Sequence, residues 1–453
     1  MMESLPRKGG LLLALLRRFF KFVIPSIVSM WIFSLYTIVD GMFVARGVGE
    51  HALAAVNLSM PFTSLIFTLG ILLATGTSTV ISIALGQEDL ERARNYFNQN
   101  LFVTLLASVG LALAVLLNLE RVALFLGATP ATLDYVKEYV GVIACFALFF
   151  TISYNLEIQV KANGAPQVST LGVLSCGLMN IGLDALFVLK LGWGVWGAAL
   201  ATGLAQATSV IIFLIYFLTH RQRLRLGGFR PDWGVYRRII PLGLSDGLSE
   251  FSNGIVIFLF NLTILRVIGE DAVVSYTIIS YVNTLVLMTM IGTTQGIQPL
   301  VSFHLGAGER AVCHKLLSYG LVLIAFFSVA SFAAVYLAAP SIVGLFLPDG
   351  GGLFAYSAGA LRRYAPVFLV MGFNVLLAGF FTAVERPAYS FTISFSRGLV
   401  LLSGCLTLLS LLFGEPGIWI APLVSELLCL ILTVCFSSAY VRGLRQAPER
   451  AGT

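Results

Sequence analysis

Charge is what this chain has least of. Only 11% of its 453 residues are Asp, Glu, Lys or Arg, against about 25% in soluble domains. With 58% hydrophobic residues and a mean hydropathy of +0.92, the apolar excess cannot be hidden inside a soluble core. Histidine is scarce: His51, His220, His304 and His314 sit at segment ends or in loops, so a transition-metal site has little support. Six cysteines (145, 176, 313, 405, 429, 435) show neither metal-ligand spacing nor a disulfide framework, and read as small buried hydrophobes. There is no Walker A motif and hence no direct drive by ATP. A His-Glu metalloprotease motif and a Gly-x-Ser-x-Gly elbow in a plausible context are also missing, which argues against an enzyme. The apolar core LLLALL near the N-terminus is too short for a signal peptide and has no small-residue cleavage site after it.

What the chain does have is long apolar runs. They are continuous over about 20 residues or more, the length of a membrane-spanning helix, and do not alternate as barrel strands do. Splitting them at charges and at Gly and Pro gives twelve spans, near 22–45, 52–84, 98–118, 135–159, 167–189, 194–218, 239–265, 272–304, 316–338, 360–383, 388–412 and 417–440. The expected fold is an all-α polytopic membrane protein of two six-helix lobes. The N-terminus and the even-to-odd connections carry twenty Lys and Arg, the opposite side seven. That asymmetry places both termini in the cytoplasm. It also accounts for the net charge of +6, so no nucleic-acid partner is implied. The expected division is a cytoplasmic amphipathic lead-in (1–21), an N-lobe (22–218), a basic linker (219–238), a C-lobe (239–441) and a cytoplasmic tail (442–453).

The two halves repeat. Gly49-Glu50 matches Gly269-Glu270 at an offset of 220 residues, as Gly76 matches Gly296, Ser82 matches Ser302 and Leu85-Gly86 matches Leu305-Gly306. Pro25 and Pro241 open the first span of each half. Six spans per half is an even number, so the halves share one orientation and are expected to be related by an axis along the membrane normal, with the substrate path between them. Pro25 reads equally well as a hinge or as a helix-start proline.

Polar groups inside the spans mark the function. Asn180 and Asp184 lie four residues apart in the fifth span, hence on one helix face. Asp40 ends the first apolar run, and Thr202 lies in the sixth. A carboxylate at membrane depth costs about 2.5–3.5 kcal/mol, so the pair points to an ion or substrate pathway. A structural ion pair of Asp40 with Arg46 is the plainer alternative. Asp246 and Glu250 share a face of the seventh span, with Asn253 beyond, and Glu250 is a second cation-site candidate. The fourth span holds Asn155 and, nearer water, Glu157, Gln159 and Lys161; the eighth has Gln295 and Gln298. Arg397 and Glu426, in the last two spans, read as structural partners. Tyr36 and Phe33, near Asp40, are candidates to line a cavity for flat organic cations.

Four segments carry a resemblance: IVDGMFVARGVGEHALAAVNLSMPF (38–62), GTSTVISIALGQ (76–87), KANGAPQVSTLGVLSCGLMNIGLDALFV (161–188) and GWGVWGAALATGLAQ (192–206). Together they resemble the MATE (multidrug and toxic compound extrusion) transporters, in particular the DinF-like prokaryotic branch, from about Phe22 to Tyr440. The resemblance implies a monomeric multi-pass protein of a prokaryotic plasma (inner) membrane, without cofactor, that exports amphipathic organic molecules against H⁺ or Na⁺. It implies a cation site on Asp40, Asn180, Asp184 and Thr202, with Asn155 in the same cluster and helix 1 bending at Pro25. The NorM-like branch uses C-lobe acids instead; Glu250 matches one of them, but Asn374 stands where the tenth span would need a carboxylate. A lipid-linked-precursor flippase of the same superfamily is the alternative, although such proteins have strongly cationic cavities and the deep charges here are chiefly acidic.

Overall fold

In the computed structural model, residues 10–48, 50–219, 223–347 and 351–446 are described. Twelve helices among them are long and apolar enough to cross a membrane. They are α1 (Gly10–Gly47), α2 (Glu50–Gly86), α3 (Leu90–Leu116), α4 (Leu133–Ala162), α5 (Pro166–Lys190), α6 (Gly194–Thr219), α7 (Trp233–Val267), α8 (Glu270–Gly306), α9 (Arg310–Leu337), α10 (Gly352–Ala383), α11 (Pro387–Phe413) and α12 (Glu415–Gln446). In lipid every backbone polar group needs an internal partner, and a helix supplies one from its own segment.

Two boundaries differ from expectation. The first helix starts at Gly10, so residues 10–21 continue into the span and are not a separate lead-in. Pro25 therefore lies well inside a helix, which removes the helix-start reading. The segment before α7 is also not a loose linker. Asn95, Asn98 and Gln99, on one face of α3, strap it down by paired side-chain bonds. Asn95 Nδ2 donates to Arg230 O (2.8 Å) and Asn95 Oδ1 accepts from Arg230 N (2.6 Å). Asn98 bonds Arg225 O (3.0 Å) and Gly227 N (2.9 Å) in the same manner. Gln99 bonds Asp232 O (3.0 Å) and Asp232 N (2.9 Å). Each amide acts as a short stretch of backbone, offering one donor and one acceptor.

The repeat runs deeper than the matched residues. Short helices that the apolar runs did not reveal, Leu119–Phe125 and Ala339–Gly344, begin 220 residues apart. The turns after α2 and α8 each need a left-handed residue: Glu88 (φ 62) fills one and Gly308 (φ 76) the other. Both α5 and α11 open on proline, at Pro166 and Pro387, and both contain a π-helical stretch, Ala185–Lys190 and Ser396–Val400. Such insertions often lie beside functional groups.

The halves meet through glycines. A Cβ on Gly86 would strike the Phe303 carbonyl, and one on Gly306 would strike the Ile83 carbonyl. These contacts exchange under the 220-residue offset, as a twofold axis requires. Gly76 against Ile239 and Gly296 against Val23 form a second pair, with α1 and α7 in register at the 216-residue offset of Pro25 and Pro241. In the third, Gly243 meets Leu72 while Gly292 meets Ile27, so the glycine has changed sides. All six crossings lie on the first half of α1 and α7 or the second half of α2 and α8. The halves are thus closed at the face where α1 begins. The start of α1 belongs to the neighbouring half's core: Leu15, Phe19, Phe22, Val23 and Ile27 are buried with Ile297, Leu300 and Val301.

Candidate functional site

Asp40 lies toward the far end of α1, away from the closed face. Asn180 and Asp184 stand one turn apart on α5, both wholly buried, and Thr202 is on α6. Gly177, a turn before Asn180, lets α5 approach Tyr36 of α1: a Cβ there would come within 3.3 Å of the ring. As a result the Asp40 carboxylate lies against the side chains of Asp184 and Asn180. Asn180 Nδ2 donates to Thr202 Oγ1 at 3.4 Å, and Thr202 Oγ1 donates to Ala198 O at 3.0 Å. These four sequence-derived residues are brought together.

Asp40 Oδ1, both carboxylate oxygens of Asp184 and Asn180 Oδ1 are enclosed and have no donor among the described residues. An unpaired buried carboxylate is costly, and two side by side repel. The arrangement can therefore accept a positive charge, as a shared proton or as a small cation held by oxygens alone. Tyr139 of α4 stands beside both aspartates, and Tyr36 beside Gln206 and Cys176. Tyr139 and Gln206 carry no charge, so nothing in the pattern of acids pointed to them. The side chain of Arg46 lies outside the described residues, so its pairing with Asp40 is not among the contacts described.

Asn155 is not part of this cluster. Sixteen residues separate it from Tyr139 on α4, about 24 Å of helix. Its Nδ2 donates to Thr104 Oγ1 on α3 at 3.1 Å, one rung of a buried polar ladder. The next rung joins Ser108 to Thr151 at 2.5 Å. The i, i+4 spacing that puts Asn155 and Thr151 on one face turns both toward α3.

Pro25 has a second partner. Its carbonyl accepts from Thr170 Oγ1 of α5 at 2.9 Å, and Ser29 Oγ lies 3.0 Å from that hydroxyl. Two turns on, Trp31 Nε1 donates to Thr289 Oγ1 of α8 at 2.9 Å. Helix α1 is therefore tied to both halves around its proline.

Glu157 and Lys161, expected near water, are buried. Lys161 Nζ donates to Glu157 Oε1 at 2.7 Å and, across the interface, to Gln295 Oε1 at 3.0 Å. Gln295 Nε2 donates back to Tyr154 OH at 3.1 Å. Asp246 accepts from Gln298 Nε2 at 3.5 Å, and it stands with Glu250 near Tyr154. Glu250 is thus in the seam between the halves, apart from the Asp40 cluster. Arg397 pairs with Glu426 at 2.7 Å, as expected, and Asn374 Nδ2 donates to the other Glu426 oxygen at 2.7 Å. Asn374 is thus engaged with α12. A groove of about 330 Å³ between α3, α4 and α6 is lined by Leu101, Phe102, Leu105, Leu148, Phe149 and neighbouring aliphatic side chains; with no polar group, it is suited to lipid tails.

The MatE family model matches residues 25–186 and 248–407. The multidrug export protein MepA of Staphylococcus saprophyticus is 24% identical over 410 residues, covering 90% of each chain. MepA of Staphylococcus aureus is likewise 24% identical over 414 residues, with 90% of each chain covered. A MATE structure in complex with MaL6 superposes with a TM-score of 0.91 at 22% identity, covering 95% of this chain and 97% of that one. A multidrug-resistance MATE transporter in an outward-facing conformation gives 0.90 at 23% identity, covering 98% and 100%.

Proposed function

The chain belongs to the MATE family, and from that membership we propose that it is a secondary multidrug exporter whose coupling cation is taken up by Asp40 and Asp184. The observation that carries this reading is the set of four enclosed oxygens on Asp40, Asp184 and Asn180 that have no partner among the described residues. Without a cation the site is negative and attracts an amphipathic organic cation. With one, the charge is neutralised and the attraction is lost. The two aspartates can share a proton; with Asn180 Oδ1 and Thr202 Oγ1 they can also surround Na⁺.

The excess of Lys and Arg on the side of the N-terminus makes that side cytoplasmic. The halves close there, so the cleft faces outward, the state in which a cation enters and a substrate leaves. Neutralising the site removes the repulsion between α1 and α5, and the bend that follows falls at Pro25, where one helical hydrogen bond is already missing. One monovalent cation moving across about 100 mV releases about 2.3 kcal/mol, enough for a substrate ratio on the order of 50. The flippase reading is not favoured: the relatives named above are exporters, and the enclosed unpaired charges are acidic.

The test is efflux of an organic cation from proteoliposomes under an imposed ΔpH or ΔNa⁺. One gradient drives wild type and so names the ion, and Asp40→Asn and Asp184→Asn each abolish gradient-driven efflux. Efflux that survives both substitutions but is lost with Glu250→Gln moves the coupling site to the seam between the halves. No efflux under either gradient overturns the proposal.

A further inference from the structure

We propose that the groove between α3, α4 and α6, together with the basic segment strapped across its end, binds one anionic phospholipid of the cytoplasmic leaflet. The leaflet follows from the orientation given above; the site itself is independent of what the protein exports.

Helix α4 is the floor of the groove, where Leu148, Ile152 and Leu156 follow one another turn by turn. Helices α3 and α6 both pack on α4 and supply the walls, Phe102 and Leu105 on one side and Val210 and Leu214 on the other. Phe102 and Leu105 are exposed, so the groove is open along its side to the bilayer. The lining is aliphatic or aromatic throughout and takes a hydrocarbon chain, with no place for a polar head. Leu156 is six residues from the end of α4 and Leu214 five from the end of α6, about 9 and 8 Å of helix. The groove therefore ends close to the membrane surface on the side of the N-terminus.

Basic groups lie at that end. Asn98, one turn before Phe102 on α3, holds Arg225 O at 3.0 Å and Gly227 N at 2.9 Å. Asn95, a turn further out, holds Arg230 by its carbonyl and N–H. Between them the Phe229 ring rests on Phe102, with centroids 5.4 Å apart. The chain from 225 to 230 thus crosses α3 at the mouth of the groove, where a lipid with its tail in the groove puts its phosphate.

The side chains of Arg225 and Arg230 are exposed and have no ion-pair partner among the described residues. No acid occurs from residue 220 to residue 231. Asp232, the next one, is turned to the Tyr96 hydroxyl at 3.5 Å. A tail held by apolar contact therefore ends beside two guanidinium groups, whose N–H forks fit phosphate oxygens. An anionic headgroup gains from both, whereas a zwitterionic one brings its own cation to the same place. The bonds from Asn95 and Asn98 already fix the backbone of both arginines, so little chain freedom is lost on binding. Every element of the site belongs to the N-terminal half, and it persists whether the halves are closed or open.

Native mass spectrometry of the detergent-solubilised protein tests this. Titration with phosphatidylglycerol, or with phosphatidylcholine of the same acyl chains, reads the dissociation constant of the first bound lipid. Wild type prefers phosphatidylglycerol by on the order of tenfold. Arg225→Gln/Arg230→Gln removes that preference, chiefly by weakening phosphatidylglycerol. Leu105→Trp, at an exposed position of the wall, fills the groove and weakens both lipids. Arg310→Gln/Lys315→Gln takes the same charge from exposed positions of α9 on the same face and keeps the preference. Equal affinity of wild type for the two lipids overturns the inference. So does a preference that survives Arg225→Gln/Arg230→Gln, or one lost equally in the α9 variant, which is surface charge and not a site. Unchanged phosphatidylglycerol binding in Leu105→Trp puts the tail elsewhere and overturns it as well.

Discussion

Replacing Gln295 by leucine removes the side chain through which the buried Lys161 reaches the other half. Two bonds are lost across the interface: Lys161 Nζ to Gln295 Oε1 at 3.0 Å and Gln295 Nε2 to Tyr154 OH at 3.1 Å. The Lys161–Glu157 contact, inside one half, remains. A bond from a charged donor is worth about 1.5–3 kcal/mol and a neutral one about 1. When the face opens, water replaces both, so only the closed state is weakened. A net loss of about 2 kcal/mol shifts the closed-to-open ratio about 30-fold. Spin labels at the exposed positions 91 and 311, on corresponding turns of α3 and α9, read the width of the closed face. Gln295→Leu adds a long-distance population that wild type lacks. Gln295→Glu, which supplies a second carboxylate to Lys161, shortens or narrows the distribution. Identical distributions in wild type and Gln295→Leu refute the latch.

Other outcomes follow from particular contacts. Gly86→Val and Gly306→Val each put a side chain into a carbonyl of the other half; both variants insert but lose the closed population at positions 91 and 311. Asn98→Ala removes the bonds to Arg225 O and Gly227 N, about 1 kcal/mol each, and raises the tryptic cleavage rate at residues 223–230 about tenfold or more. Arg397→Leu leaves Glu426 charged and unpaired, which costs about 3–5 kcal/mol. Its melting temperature in detergent falls well below wild type, and adding Glu426→Gln recovers most of the loss.

The spans and the cluster proposed as the cation site were legible for one reason. Lipid penalises a polar group so heavily that each one retained in a span stands out, and Asp40, Asn180, Asp184 and Thr202 did. The repeat showed in glycines because only glycine allows backbones to touch. What stayed hidden depended on direction or distance. Asn155 looks like a cavity residue until α4 is seen to turn it toward α3. Lys161 looks like one more basic residue at a span end, because Gln295, its partner, is 134 residues away. Asn95, Asn98 and Gln99 look like a solvated helix end, since their partners are backbone groups, which leave no trace in side-chain identity.

The third crossing also bears on how such a chain arose. A protein built from two copies of one half is the natural ancestor of a repeat, and an isologous dimer uses the same patch on both copies. Two of the crossings would survive in such a homodimer, with Gly86 facing Ile83 and Gly76 facing Val23. The third would not. An N-terminal half paired with itself sets Leu72 against Ile27 with no glycine between them, while a C-terminal half sets Gly243 against Gly292 and leaves a gap. Only the mixed pair has one glycine at every contact. The halves have become lock and key to each other, so co-expressed as separate chains they would favour unlike pairs, the N-terminal pair being opposed by a clash and the C-terminal pair by a gap.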